Sequence, residues 1–131
     1  MSMSLPALTT LVTLLLYFVT LMNVARARVK FKIAAPAVSG NPDFERIFRV
    51  QMNTLEQLPM FLPALWLFAF YVSAPWASAI GAVWIVGRVF YAIGYTQSAA
   101  RRGPGGIVGF AALGVLWIGA IVGVVAALMR G

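Results

Sequence analysis

From Gln57 to Gly87 the chain carries no charged side chain, and the run is interrupted only by Ser73-Ala74-Pro75-Trp76, a turn signal near its middle. An uncharged run with a turn inside it reads as a hairpin of two membrane-crossing helices. Two such spans and their turn need about 44 residues at roughly 1.5 Å of rise each, more than the run supplies, so residues beyond both ends must also lie at membrane depth. Counting along the helices puts Glu56 about 26 Å and Arg88 about 18 Å from the outer turn. Ionisable groups at such depth face a protein interior or a wet cavity rather than lipid.

Two further uncharged runs flank the hairpin, giving expected spans at residues 5–25, 43–72, 76–100 and 105–129. With 62% hydrophobic and 10% charged residues, against roughly 25% charged in soluble domains, the expected fold is an all-α integral membrane protein. It is a bundle of four transmembrane helices forming one domain over residues 1–131, with no room for a separate soluble domain. Asn41-Pro42-Asp43 supplies a cap, a first-turn proline and an acid for the start of the second helix. Arg26, Arg28, Lys30 and Lys32 follow the first apolar run instead of preceding it. The first span is therefore expected to be retained, with both termini outside and the first loop in the cytoplasm. The formal charge of +7 then reads as topology, not as a nucleic-acid surface. The absence of cysteine and histidine removes disulfides, thiolate metal sites and imidazole chemistry. Asp43, Glu45 and Glu56 are too few and too close to arginines to make a metal cage.

At about 100° per residue, Glu45, Arg46, Arg49, Asn53, Glu56 and Gln57 fall within an arc of about 120° on the second span. Arg88, Tyr91, Tyr95, Ser98 and Arg102 fall within about 80° on the third. These polar faces meet near the cytoplasmic side, where a pocket is expected. Simple pairing of Arg49 and Arg88 with Glu45 and Glu56, with Tyr91 and Tyr95 in an interfacial belt, is the bland alternative. Against it, the arginines of the two faces outnumber the glutamates, leaving about two cations for an outside anion. Arginine forks suit carboxylates, Glu56 suits an ammonium, and Asn53, Gln57 and the tyrosine hydroxyls suit a peptide backbone. The matching ligand is a small zwitterionic, net anionic peptide. Gln51 lies about 160° from this face and would serve a ligand only in a neighbouring subunit.

The runs FERIFRVQMNTLEQLPMFLPALW and GRVFYAIGYTQSAARR, with RxxxNxxE at Arg49, Asn53 and Glu56 and YxxxY at Tyr91 and Tyr95, resemble the MAPEG family, the membrane-associated proteins in eicosanoid and glutathione metabolism. The likeness covers nearly the whole chain and is strongest from Phe44 to Arg102. It implies a homotrimer of four-helix subunits, with glutathione as co-substrate between adjacent subunits near the cytoplasmic side. By resemblance, Arg49, Asn53, Glu56, Gln57, Tyr91 and Tyr95 match glutathione-binding positions. Arg28 and Gln51 match those lent by the neighbour. Arg102 matches the arginine that holds the sulfur as thiolate; a fixed cation beside a thiol of ordinary pKa about 8.5 lowers it. The chain departs from the leukotriene C4 synthase branch at Gln57, a tyrosine there, and at Val29, where that branch has a second arginine proposed as proton donor.

The expected activity is addition of glutathione thiolate to hydrophobic electrophiles drawn from membrane lipid, extending to reduction of lipid hydroperoxides, in a bacterial inner membrane. Two other classes compete: a non-catalytic lipid-binding scaffold of the same family, and a small multidrug transporter, whose first-span glutamate this sequence lacks. Pro59 and Pro63 remove amide donors within the second span, which bends it and opens a crevice for an apolar substrate, or else only shapes packing. Gly119 and Gly123 form a small-xxx-small pair expected at a helix contact.

Overall fold

The computed structural model describes residues 2–98 and 103–131, which fold into four helices: α1 (Ser4–Phe31), α2 (Pro42–Tyr71), α3 (Ala74–Gln97) and α4 (Gly103–Arg130). By length and composition α1, α3 and α4 are apolar enough to cross a membrane. The remaining helix, α2, is of similar length but carries its charges in its first half, from Asp43 to Glu56, and is apolar beyond them. Its start follows the expected signals: Asn41 Oδ1 accepts from the amides of Asp43 (2.8 Å) and Phe44 (3.1 Å), with proline in the first turn. The hairpin turn is equally short. Ser73 caps α3 by accepting from the Trp76 amide at 3.3 Å, and the Val72 and Ser73 amides close back on the Phe68 carbonyl.

The first helix runs on past the expected limit at residue 25 to Phe31, so Arg26, Arg28 and Lys30 are helical. It ends at Lys32, whose left-handed backbone (φ 57°) returns its amide to the Arg28 carbonyl. Hydroxyls within this span are satisfied by their own helix: Thr9, Thr10 and Thr13 donate to carbonyls four residues back, which removes the penalty of a bare polar group in lipid.

The core lies between α2, α3 and α4. Phe61 and Trp84 stack with ring centroids 3.8 Å apart, and Leu65 and Leu116 are fully buried beside them. The outward faces remain apolar: Leu11, Leu15, Phe18, Phe90, Phe110 and Ile118 are among many large side chains left exposed. Such a surface would aggregate in water and suits lipid or further protein. Helices α3 and α4 approach closely where no side chains intervene. A methyl group at Gly87 would stand 2.7 Å from the Gly109 amide, and one at Gly105 would meet the Tyr91 backbone. Gly119 and Gly123 do lie at a helix contact, against Phe68 and Tyr71 of α2.

Candidate functional site

Near the start of α4 the three core helices part, leaving a cavity of about 390 Å³ lined by Arg49, Asn53 and Gln57 of α2, Arg88 and Tyr91 of α3, and the first turns of α4 through Phe110. At position 106 an added methyl would make only ordinary contact with the Tyr91 ring, at 3.4 Å.

Its floor is Arg88, only 2% exposed. The guanidinium donates from Nη1 to Asn53 Oδ1 (2.7 Å) and from Nη2 to Thr54 Oγ1 (2.8 Å), and its Cζ lies 4.3 Å from the centre of the Tyr91 ring. The Thr54 hydroxyl donates to the Val50 carbonyl at 2.8 Å, so its oxygen is left to accept. Nε of Arg88 has no hydrogen-bond partner among the described residues, and neither of the two acceptors on Nη1 and Nη2 is charged. A buried cation held only by neutral groups is an unusual and expensive arrangement.

The amides around it have a fixed orientation. Guanidinium and indole N–H groups can only donate, so Asn53 must turn its oxygen to Arg88, and Gln57 must turn its oxygen to Trp84 Nε1, 3.0 Å away. What both amides keep for a ligand is therefore their NH₂ groups. Together with Arg49, these form a set of donors suited to carboxylates.

The rim is different. Arg49 grips Glu56 through two bonds of 2.8 and 3.3 Å, with side chains 46% and 52% exposed. An exposed pair of this kind contributes about 0.2–1 kcal/mol, little enough for a ligand to reorganise. Tyr95 stacks on Tyr91 with centroids 5.5 Å apart. The fold thus brings together Arg49, Asn53, Gln57, Arg88 and Tyr91, with Glu56 and Tyr95 one contact away.

Other residues of the same helical arcs go elsewhere. Glu45 accepts from the Gly40 amide at 3.2 Å, and Arg46 pairs with Asp43 and reaches the Thr96 carbonyl at 3.5 Å. Gln51 faces away from the cavity, as its angular position requires, and donates to the Tyr17 hydroxyl of α1 at 2.9 Å. Arg28 clasps the α1–α2 loop through the carbonyls of Ala37 (2.7 Å) and Ile33 (3.3 Å), 5.1 Å from the Phe44 ring centre. Neither joins the cavity within one subunit. Arg102 lies outside the described residues. Thr54 and Trp84, which hold Arg88 and Gln57, were invisible to charge patterning because one is small and the other apolar for most of its surface.

Farther along the same α2–α4 seam is a second, apolar groove of about 370 Å³ lined by Pro59, Met60 and Pro63 of α2 and Trp117, Ile121 and Val125 of α4, among others. The helix continues through both prolines. Among the described residues there is no group of three or more acids that would hold a metal ion.

The model of the MAPEG family matches residues 6–122. An uncharacterized protein of Synechocystis is 49% identical over 119 residues, covering 91% of this chain and 87% of that protein. Human microsomal glutathione S-transferase 2 is 42% identical over 96 residues, 72% of this chain and 63% of its own length. Bovine leukotriene C4 synthase is 37% identical over 93 residues, 71% of this chain and 62% of its own. The match thus spans less than two thirds of these two enzymes.

Proposed function

The chain belongs to the MAPEG family, and from that premise we propose that it is a membrane-bound glutathione transferase. The single observation that carries this reading is the donor-rich cavity over Arg88, a buried guanidinium with neutral partners. The family supplies a ligand of matching chemistry. Glutathione has two carboxylates, one ammonium and a thiol, and microsomal glutathione S-transferase 2 carries that co-substrate in its name.

Arg49, Asn53, Gln57, Tyr91 and Tyr95 bind the tripeptide, and Glu56 exchanges part of its bond with Arg49 for the ligand's ammonium. Arg28 and Gln51 contribute from the neighbouring subunit of a homotrimer. Arg102 stabilises the thiolate after the S–H proton leaves to water. That sulfur then attacks an electrophilic carbon: a C–S bond forms, and a leaving group departs with its electron pair or an epoxide opens. Holding both reactants removes much of the entropic barrier to their encounter. The hydrophobic electrophile comes from the bilayer, and the groove at Pro59 and Pro63 on the same seam supports its access. Peroxidase turnover extends the same chemistry: two glutathiones reduce a lipid hydroperoxide to an alcohol and water and leave as the disulfide. The protein sits in a bacterial inner membrane with both termini outside and the glutathione site toward the cytoplasm, an orientation supported by the basic residues that follow the first span.

Turnover of glutathione with a chlorinated nitrobenzene, read alongside the ultraviolet band of the bound thiolate, tests this. The wild type is expected to show both, and Arg102→Ala to lose the thiolate band while still binding glutathione. Binding without any turnover in the wild type would instead identify a non-catalytic scaffold.

A further inference from the structure

On the other side of the bundle from the glutathione cavity, a cleft of about 300 Å³ opens between Asn23, Arg26 and Lys30 of α1, Ile47 of α2 and Thr96 of α3. It carries two cations and no acid on its walls. Arg26 and Lys30 lie within about 40° of each other on α1 and roughly 160° from Arg28, so they belong to a different face from the one assigned to glutathione. Arg26 donates to Asn23 Oδ1 at 3.4 Å, which leaves the Asn23 NH₂ as a third donor, and the Lys30 ammonium lies 5.3 Å from the Phe31 ring centre. Neither cation has a carboxylate partner among the described residues. Asp43 is paired with Arg46, which itself reaches the Thr96 carbonyl.

The cleft continues inward. Asn23, Ile47 and Thr96 also line a narrower slit of about 120 Å³, whose remaining walls are Thr20, Val50, Ala92 and Ile93. Its hydroxyls turn to backbone: Thr20 donates to the Tyr17 carbonyl (2.6 Å) and Thr96 to Ala92 (2.9 Å). The slit therefore offers mainly hydrocarbon to an occupant. From Lys30 to Thr20 the helix rises about 15 Å, half the thickness of a hydrocarbon core. Cationic donors thus sit at the helix end and an apolar channel leads from them toward the membrane's middle.

We propose that this cleft is a binding site for an anionic phospholipid, with the phosphodiester on Arg26, Lys30 and Asn23 and the first methylenes of one acyl chain in the slit. A phosphodiester has only acceptor oxygens, which matches three donors, and the arginine fork takes two of them together. Basic pockets between membrane helices recognise lipid head groups through this chemistry. The apolar slit distinguishes a lipid from free phosphate, which has nothing to place there.

The test uses the whole protein in nanodiscs, with bound lipid counted by native mass spectrometry after exchange between phosphatidylglycerol and phosphatidylcholine. The wild type is expected to retain phosphatidylglycerol at least about tenfold better, and Arg26→Gln and Lys30→Gln each to lower that preference about fivefold. Lys32→Gln, which removes an equal charge beyond the cleft, is expected to leave it intact. Val50→Trp, filling the slit, is expected to reduce retention without altering charge. Equal retention of both lipids, or equal losses in Lys32→Gln and Arg26→Gln, would overturn the proposal. So would displacement of the lipid by millimolar inorganic phosphate, which would reduce the site to a phosphate contact. Glutathione binding measured in parallel on Arg26→Gln is expected to match wild type, so failure here is separable from failure of the transferase assignment.

Discussion

Two arginines line one cavity under opposite conditions. Arg49 sits at the rim, about half exposed, and its charge is answered by Glu56. Arg88 sits on the floor, fully enclosed, and is answered by an amide and a hydroxyl. An exposed pair is weak and replaceable, and can be broken by an arriving ligand for about 1 kcal/mol or less. An enclosed cation without an anion is costly to the fold and persists only where something else is gained. The difference separates adaptation from preorganisation: the rim adjusts to the ligand, and the floor waits for it.

The largest effect that sharpens this contrast is expected from Arg88→Met. Removing a buried, hydrogen-bonded charge from a ligand site costs about 2–5 kcal/mol of binding, so glutathione affinity should fall by about thirtyfold or more in calorimetry. Thermal stability of the unliganded protein should hold or rise, because an apolar side chain of similar length needs no desolvation. A large fall in melting temperature would mean that Arg88 is there for the fold.

Next in size is Gly105→Ala. Its methyl group would press on the Tyr91 and Gly87 backbones, and overpacking of this kind costs about 1–3 kcal/mol. Gly114→Ala, where an added methyl meets nothing, is the matched control in the same denaturation experiment. Thr54→Val falls in the same range. It withdraws the acceptor from Arg88 Nη2 and should cost about 1–3 kcal/mol through an unsatisfied buried donor, whereas removal of a rim acceptor should not.

Glu56→Gln should give the smallest change in stability, within about 0.5 kcal/mol, since the Arg49 pair is solvated. If unfolding of this variant showed a loss comparable to Thr54→Val, rim and floor would not differ as described.

Much of this was legible in the sequence. Gaps between charges marked the four helices, and Ser73 and Asn41 marked where α3 and α2 begin, because caps and hydrocarbon thickness are local constraints. The helical wheel also placed Arg49, Asn53, Gln57, Arg88 and Tyr91 toward one space. It erred by giving direction without reach: Glu45 and Arg46 share the arc but bond Gly40 and Thr96, since long side chains near a helix end choose among many backbone groups. Gln51 was set apart by its angle and Arg28 by resemblance alone, and their bonds to Tyr17 and to the Ala37 carbonyl depend on how α1 meets α2. The close backbone approach of Gly87 to Gly105 and Gly109 was also missed. Gly105 and Gly109 carry the same spacing as Gly119 and Gly123, and only the facing helix shows which pair lies against bare backbone.

The most direct test of the central claim is calorimetric titration of glutathione into the purified protein in lipid, wild type beside Arg88→Met. Saturable binding by the wild type and none measurable in the variant are expected, with both equally folded by tryptophan fluorescence. Equal affinity in the two proteins, or no binding by the wild type, would contradict it.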